Sequence, residues 1–368
     1  MSDASALKDA NQAKNTTHAA ANAAHVDGYP ESIALTISER CNFRCITCCQ
    51  EHRPQADLSR AAVERISEVL PHVRTVSITG GEPLLHPGLD SLLDLAQKAE
   101  TSTIVLTNGS LLDPEKSAYL VDKQVTFLKI SCDGASAKTY NAIRKGGDFN
   151  RLIGNIAGLT ARKLATGSIL PVLEFNFVAM RSTIMELPRL TVLAGELGVE
   201  VVNVLPLRAD NLALARESLY FHQGAADEMM RLASAMGDKI GVHVVHPPLF
   251  AEPEPQNGCS RDFCDAPWRG VTINVDGSAG ICCGGAGSAG NLNETDFLTA
   301  WNHPKRVKVR QTVNTPNELP CCRDCRLGKQ NPSRIGSHIP NPEIARAALE
   351  LFGGKLDNRP RTGSGLAA

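Results

Sequence analysis

From Ile33 to about Leu207 the chain alternates short β-branched runs with segments of helical periodicity, and no other feature narrows its fold so far. Ile33–Ser38, Thr75–Thr79, Thr103–Thr107, Phe127–Ser131, Leu173–Val178 and Val201–Leu205 read as strands. Ser59–Leu70, Leu89–Ala99 and Met185–Leu197 read as helices between them, with Gly198 in the capping position after the last. Such alternation implies an α/β fold with a parallel sheet and right-handed crossovers, either open and doubly wound or a partial barrel. In both, the loops at the carboxyl ends of the strands collect the chemistry.

The flanks differ in kind. Residues 1–30 are rich in Ala, Asn, Asp and Thr, lack the apolar stretch of a secretory signal and the Arg-rich face of a transit peptide, and read as a disordered tail. A helix over Gly224–Met236 and the Pro-rich passage Pro247–Gln256 end the α/β unit. The expected organisation is therefore an α/β domain over 31–255, a small cysteine-rich domain over 256–330, and a C-terminal helix and tail over 331–368. Val271–Val275 and Ala279–Cys282 flank Asp276-Gly277, a hairpin signal, and Pro342–Phe352 reads as one docking helix.

Charge and hydropathy exclude two classes of partner. With 38 Lys and Arg against 39 Asp and Glu, the net charge of −1 offers no basic excess for phosphate backbones or anionic lipids. No apolar run approaches the roughly 20 residues of a membrane-spanning helix. A cytoplasmic protein without nucleic-acid or membrane partners is expected, so its 12 cysteines face a reducing compartment where metal binding or redox chemistry is their default use.

Cys41, Cys45 and Cys48 stand directly after the first strand in a C-x3-C-x2-C array. Three soft thiolates select zinc or iron–sulfur and leave a fourth metal position open. A structural zinc site usually closes with four ligands, and no fourth partner stands at zinc-finger spacing. Three further polar motifs end the next three strands: Thr79-Gly80-Gly81-Glu82-Pro83, Thr107-Asn108-Gly109 and Ser131-Cys132-Asp133-Gly134.

The four motifs together resemble those of the radical S-adenosylmethionine (AdoMet) superfamily, and the resemblance implies a partial (β/α)6 barrel of parallel strands. It further implies that Cys41, Cys45 and Cys48 hold a [4Fe–4S] cluster whose open iron binds AdoMet. The backbone of Gly80 and Gly81 would meet the methionine amino group, the glycines letting it approach with no side chain in the way, and Glu82 of the same motif would belong to the cofactor site. Asn108, Ser131 and Asp133 would reach the ribose or the amino-acid part, and Arg144 the carboxylate, although Arg144 also fits an ordinary helix-end charge. Strand alternation turns Cys132 away from Ser131 and Asp133, as a small core residue. One departure is Thr47, where relatives usually carry an aromatic residue near the adenine. Cys49 is either a buried bystander or a redox-active thiol.

Farther along, Cys264 is followed by 12 residues, Gly277, four residues and Cys282, and later by Cys322-Arg-Asp-Cys325. This resembles the SPASM auxiliary-cluster module, as do Ala266-Pro267-Trp268, Gly290-Asn291-Leu292 and Ala300-Trp301-Asn302. Because no cysteine follows Cys325, it resembles the shorter "twitch" variant with one auxiliary [4Fe–4S] cluster, held by Cys264, Cys282, Cys322 and Cys325. The vicinal Cys283 and Cys321 leave the register open, Cys259 is unassigned, and a four-cysteine zinc ribbon is the simpler alternative.

The resemblance implies reductive cleavage of AdoMet to methionine and a 5′-deoxyadenosyl radical, with an electron donor such as flavodoxin or ferredoxin. The expected outcome is dehydrogenation of a small polar molecule such as a sugar or aminocyclitol, with the auxiliary cluster accepting an electron. Glu51, His52, Arg181 and Arg208 are candidates for taking the hydroxyl proton. Maturation of a peptide is the alternative, disfavoured because only some 30 tail-like residues precede the first strand. Redox-neutral epimerisation is a third, with Cys49 or Cys259 as hydrogen donor.

Overall fold

A computed structural model describes residues 3–48, 55–252, 263–282, 286–323, 325 and 334–353. Helix α1 (Asp3–Ala20) leads into β1 (Ser32–Ser38), α2 (Arg60–Val69), β2 (Thr75–Gly80), α3 (Leu89–Lys98), β3 (Ser102–Thr107), α4 (Pro114–Asp122) and β4 (Phe127–Ser131). There follow α5 (Ala137–Ile143), α6 (Phe149–Thr166), β5 (Val172–Ala179), α7 (Leu187–Glu196), β6 (Val201–Pro206), α8 (Leu212–Ala215), α9 (Gln223–Ile240) and β7 (His243–Val245). The C-terminal part holds α10 (Ala266–Arg269), β8 (Gly270–Ile273), β9 (Ser278–Gly280), β10 (Ser288–Asn291), α11 (Phe297–Trp301), α12 (Pro304–Thr312), α13 (Pro320–Arg323), α14 (Arg334–His338) and α15 (Pro342–Phe352).

The six strands read from the sequence are β1 to β6, each within two residues of its expected bounds. They form when one residue in two is apolar and turns toward the helices. In β1 the residues Ile33, Leu35 and Ile37 are essentially buried, and in β4 Leu128 and Ile130 are. The helices start where short polar side chains cap them: Ser59 accepts from the Ala62 N–H, Asp113 from Lys116 ahead of Pro114, and Ser136 from Thr139. At the other end, α6 and α9 stop at Gly167 and Gly241, whose φ of 65° and 77° suit glycine.

Strands β1 to β7 pair in parallel in sequence order, which winds the sheet in one direction like a barrel wall. Among the described residues the order runs from β10 at one edge to β7 at the other, so the barrel is open. No described helix is long and apolar enough to cross a membrane.

One expectation is corrected. Residues 3–20 form a helix rather than a disordered tail. Its buried side chains, Lys8, Asn11, Asn15 and Ala19, recur at helical spacing, but they are mostly polar and dock by hydrogen bonds. Asn11 donates to the Tyr29 and His72 carbonyls and accepts from the Tyr29 N–H, while Asn15 donates to the Tyr29 carbonyl. The expected division at residue 255 lies outside the described residues. The C-terminal part continues the same sheet: β8 pairs in parallel with β1, Ser32 opposite Gly270 through Leu35 opposite Ile273, and so extends the barrel sheet. Trp268, Trp301 and Phe297 pack in the same core as β1 and β2. The hairpin read around Asp276-Gly277 is β8–β9, with Gly277 at φ 80°.

Candidate active site

The thiol loop leaves the carboxyl end of β1 and is held from three sides. Behind it, Gly81 N–H donates to the Ser38 carbonyl at 2.7 Å and Glu82 N–H to the Arg40 carbonyl at 2.8 Å. A Cβ on Gly80 would lie 2.0 Å from the Ser38 carbonyl oxygen, and one on Gly81 2.2 Å from that of Arg40. Gly80 also sits at φ 144°. What the two glycines make room for here is therefore the backbone of residues 38–40, in addition to any ligand they face.

On a second side, Glu82 is wholly buried and joins the second motif to the third. Its Oε1 accepts from the Thr107 hydroxyl at 2.7 Å and its Oε2 from the Asn108 N–H at 2.7 Å. Burial raises its pKa above the ordinary glutamate value against these hydrogen bonds, which favour the ionised form. The Asn108 side chain donates to Asn42 Oδ1 at 2.8 Å and accepts from Ser110, so it too is spent on the thiol loop.

The third side is the segment after α5. Arg44 and Ile46 N–H groups donate to the Lys145 and Ile143 carbonyls at 2.8 and 3.0 Å. Arg144 reaches Cys45 Sγ with Nη1 at 3.8 Å and pairs through Nε with Asp133 Oδ2 at 2.6 Å. Asp133, with no exposed surface, also accepts from the Val178 N–H at 2.8 Å. Burial works against the Arg144 charge, but Asp133 and Cys45 outweigh it and raise the pKa.

The sequence-derived site thus gathers at one edge but divides by access. Glu82 and Asp133 have no exposed surface, and their carboxylates organise the loop and Arg144. Cys132 is a fully buried core thiol, as strand alternation implied, and burial pushes it up to about 12. Ser131 stays half-buried at the carboxyl edge of β4, and Arg144 keeps 13% of its side chain exposed. Cys41 and Cys45 have raised pKa values, chiefly because burial disfavours the thiolate. Cys48 is exposed. Cys49, Glu51 and His52 lie outside the described residues, Arg181 pairs with Glu217 at 3.0 Å, and Arg208 is exposed.

A group not foreseen from the sequence lies on the sheet face opposite the helices. Lys129 on β4 is in register with Glu174 on β5, and Asn176 on β5 pairs with both Ser131 on β4 and Asn203 on β6. Lys129 Nζ lies 2.9 Å from Glu174 Oε1, to which Asn203 donates at 3.0 Å, and Asn203 also donates to Asn176 Oδ1 at 3.1 Å. Strands covered on both faces are ordinarily apolar throughout. Lys129-x-Ser131 and Glu174-x-Asn176 were thus the legible signal of a polar sheet face.

The C-terminal thiols assemble from three segments. Asn314, at φ 64°, accepts from the Cys264 N–H at 2.7 Å and donates to its carbonyl at 3.0 Å. Cys322 and Cys325 stand at the end of α13 and just beyond, the Cys325 N–H donating to the Cys322 carbonyl at 3.2 Å. Burial, reinforced by the nearby Cys321, Cys282 and Cys264, pushes Cys322 up to about 12. Cys321 therefore belongs to this group with the expected Cys264, Cys282 and Cys322, whereas Cys259 and Cys283 lie outside the described residues. Among the described residues no group of three or more His, Cys, Asp or Glu is placed to hold a single metal ion. In chemistry both donor sets are cysteine sulfur, the ligand of iron–sulfur clusters, with a guanidinium beside one of them.

Comparison with known proteins agrees with this layout. A family model described as the radical SAM superfamily matches residues 35–185, and one described as an iron–sulfur cluster-binding domain, SPASM, matches 264–326. A GTP 3′,8-cyclase of Geobacter sulfurreducens is 32% identical over 172 residues, 44% of this chain and 51% of the cyclase. The mycofactocin maturase MftC of Mycobacterium ulcerans is 30% identical over 148 residues, 39% of this chain and 40% of that protein. The chain thus spans about half the length of these curated relatives. The crystal structure of Streptococcus suis SuiB bound to S-adenosylmethionine shares the fold with a TM-score of 0.59 at 17% identity, over 82% of this chain and 71% of that one.

Proposed function

The chain belongs to the radical SAM superfamily and carries a SPASM iron–sulfur domain, and from that premise we propose that it oxidises a small, hydroxyl-bearing molecule such as a sugar or aminocyclitol. AdoMet and two [4Fe–4S] clusters are the cofactors that its two domains imply. When bound, these groups supply a 5′-deoxyadenosyl radical that takes a hydrogen atom from the substrate, and an auxiliary acceptor for the electron left behind. Reducing electrons come from a donor such as flavodoxin or ferredoxin.

In this reading Cys41, Cys45 and Cys48 hold the first cluster, and Arg144 sets a positive charge beside Cys45. Ser131 and the Gly80-Gly81 backbone line the AdoMet side, and Asn108 shapes the loop. Cys264, Cys282, Cys322 and Cys325 hold the twitch-like auxiliary cluster, with Cys321 as the alternative within the same group. The observation that carries the substrate class is the polar row Lys129, Glu174, Asn176 and Asn203. Its ammonium and amides suit hydroxyl oxygens, and the Glu174 carboxylate takes the proton of the hydroxyl whose carbon is oxidised. The balance is one hydrogen atom from C–H, one proton from O–H and one electron, leaving a ketone.

The relative MftC favours a second reading, modification of a peptide. Epimerisation would require Cys49 or Cys259, since Cys132 has no exposed surface. An anaerobic assay against polyols, aminocyclitols and peptides separates the three. Our reading expects a ketone formed one-for-one with 5′-deoxyadenosine, and strong loss of product with Glu174→Gln. Turnover of peptides alone, or solvent deuterium retained at carbon, would reject it.

A further inference from the structure

Arg306 and Arg310, one turn apart on α12, are both completely buried. Both approach Trp301, their guanidinium carbons 4.2 and 4.7 Å from the indole ring centre. Arg306 donates from Nη1 to the Ile281 carbonyl at 2.6 Å and from Nη2 to the Gly280 carbonyl. Arg310 donates from Nε to the Pro267 carbonyl at 3.1 Å and from Nη1 to Asn302 Oδ1 at 3.0 Å and the Ala24 carbonyl at 3.4 Å. Every acceptor is neutral. Among the described residues no carboxylate offsets either charge, and Arg306 Nε and Arg310 Nη2 have no hydrogen-bond partner.

Two cations in a dry interior, opposed only by dipoles and one aromatic face, are a costly arrangement unless an anion stands nearby. Their position says which anion. The carbonyls that Arg306 grips, Gly280 and Ile281, immediately precede Cys282, and the Cys282 charge reaches Arg306. Arg310 grips Pro267, three residues after Cys264. A four-thiolate iron–sulfur cluster is an anion, reduction deepens its charge, and nearby positive charge raises its potential.

We infer that the Arg306, Trp301 and Arg310 stack is the built-in counter-charge of the auxiliary cluster, stabilising its reduced form so that it accepts an electron. The two arginines are positioning residues, one layer behind the thiols, and the inference rests on the auxiliary-cluster assignment made above. It also accounts for the indole, whose ring electrons attract both guanidinium groups.

The test is an EPR-monitored redox titration of the anaerobically reconstituted full chain and of Arg306→Gln, Arg310→Gln and Arg306→Lys. In the Gln variants the auxiliary cluster should become at least tenfold harder to reduce, ~59 mV for a one-electron couple. The N-terminal cluster should not move, and Arg306→Lys should recover most of the shift. If Arg306→Gln does not fold, Arg310→Gln carries the comparison. Folded, iron-loaded Gln variants with an unmoved potential would overturn the inference, as would a Lys variant shifted as far as Gln. About four rather than eight irons in the unsubstituted chain would overturn the auxiliary-cluster assignment as well.

Discussion

Glu82 and Asp133 sit inside motifs that face a cofactor, yet both carboxylates are turned wholly to the protein. Asp133 is the partner of a buried arginine, so Asp133→Asn should leave the Arg144 charge unbalanced and cost about 3–5 kcal/mol in denaturant unfolding of the cluster-free chain. Gly81→Ala makes a companion test. Its Cβ would meet the Arg40 carbonyl, so the substitution should lower the melting temperature before any AdoMet is added. If Gly81 served the ligand alone, the cluster-free protein would melt unchanged. At this scale the sequence told where the polar residues gather, because motif spacing and strand alternation are local: Cys132 was rightly sent to the core. It could not tell which donors saturate a carboxylate, because Val178 and Arg144 come to Asp133 from other elements.

Elements were legible to the degree that they use apolar periodicity. Strands β1 to β6 do, and so do helices such as α3, which buries Leu89, Leu92, Leu93 and Ala96. Helix α1 does not: its buried stripe is Lys8, Asn11, Asn15 and Ala19, a periodic pattern written in polar residues that grip backbone carbonyls. The C-terminal helices offer a prediction in pH. His338 on α14 stacks on Phe250 with centroids 5.5 Å apart, faces Tyr220, and accepts the Ala209 N–H through its carbonyl. Burial lowers its pKa from 6.5 to about 4. The folded state therefore holds it neutral while the unfolded chain takes up a proton. Stability is complete above the unfolded value and falls as pH drops toward the folded one, by about 2 kcal/mol between pH 7 and pH 5. His338→Gln should flatten that part of the stability profile, measured by denaturant unfolding at the two pH values.

Across the whole molecule, one sheet carries both thiol sites, since β8 joins the C-terminal segment directly to β1. The composition shift near residue 255 marked a division along the chain; that β8 joins the same sheet was not legible, because strand pairing over some 240 residues of sequence is non-local and left no trace in the spacing. The polar row on β4, β5 and β6 lies on the same sheet, with the thiol loop at the carboxyl end of β1. A radical generated at one cluster and an electron delivered to another thus share a single sheet in this account. The most direct test is anaerobic reconstitution with iron and sulfide counted per chain, then reduction with AdoMet and assay for 5′-deoxyadenosine. The account predicts about eight irons, as two [4Fe–4S] clusters require, together with deoxyadenosine. Zinc in place of iron, without cleavage of AdoMet, would contradict it.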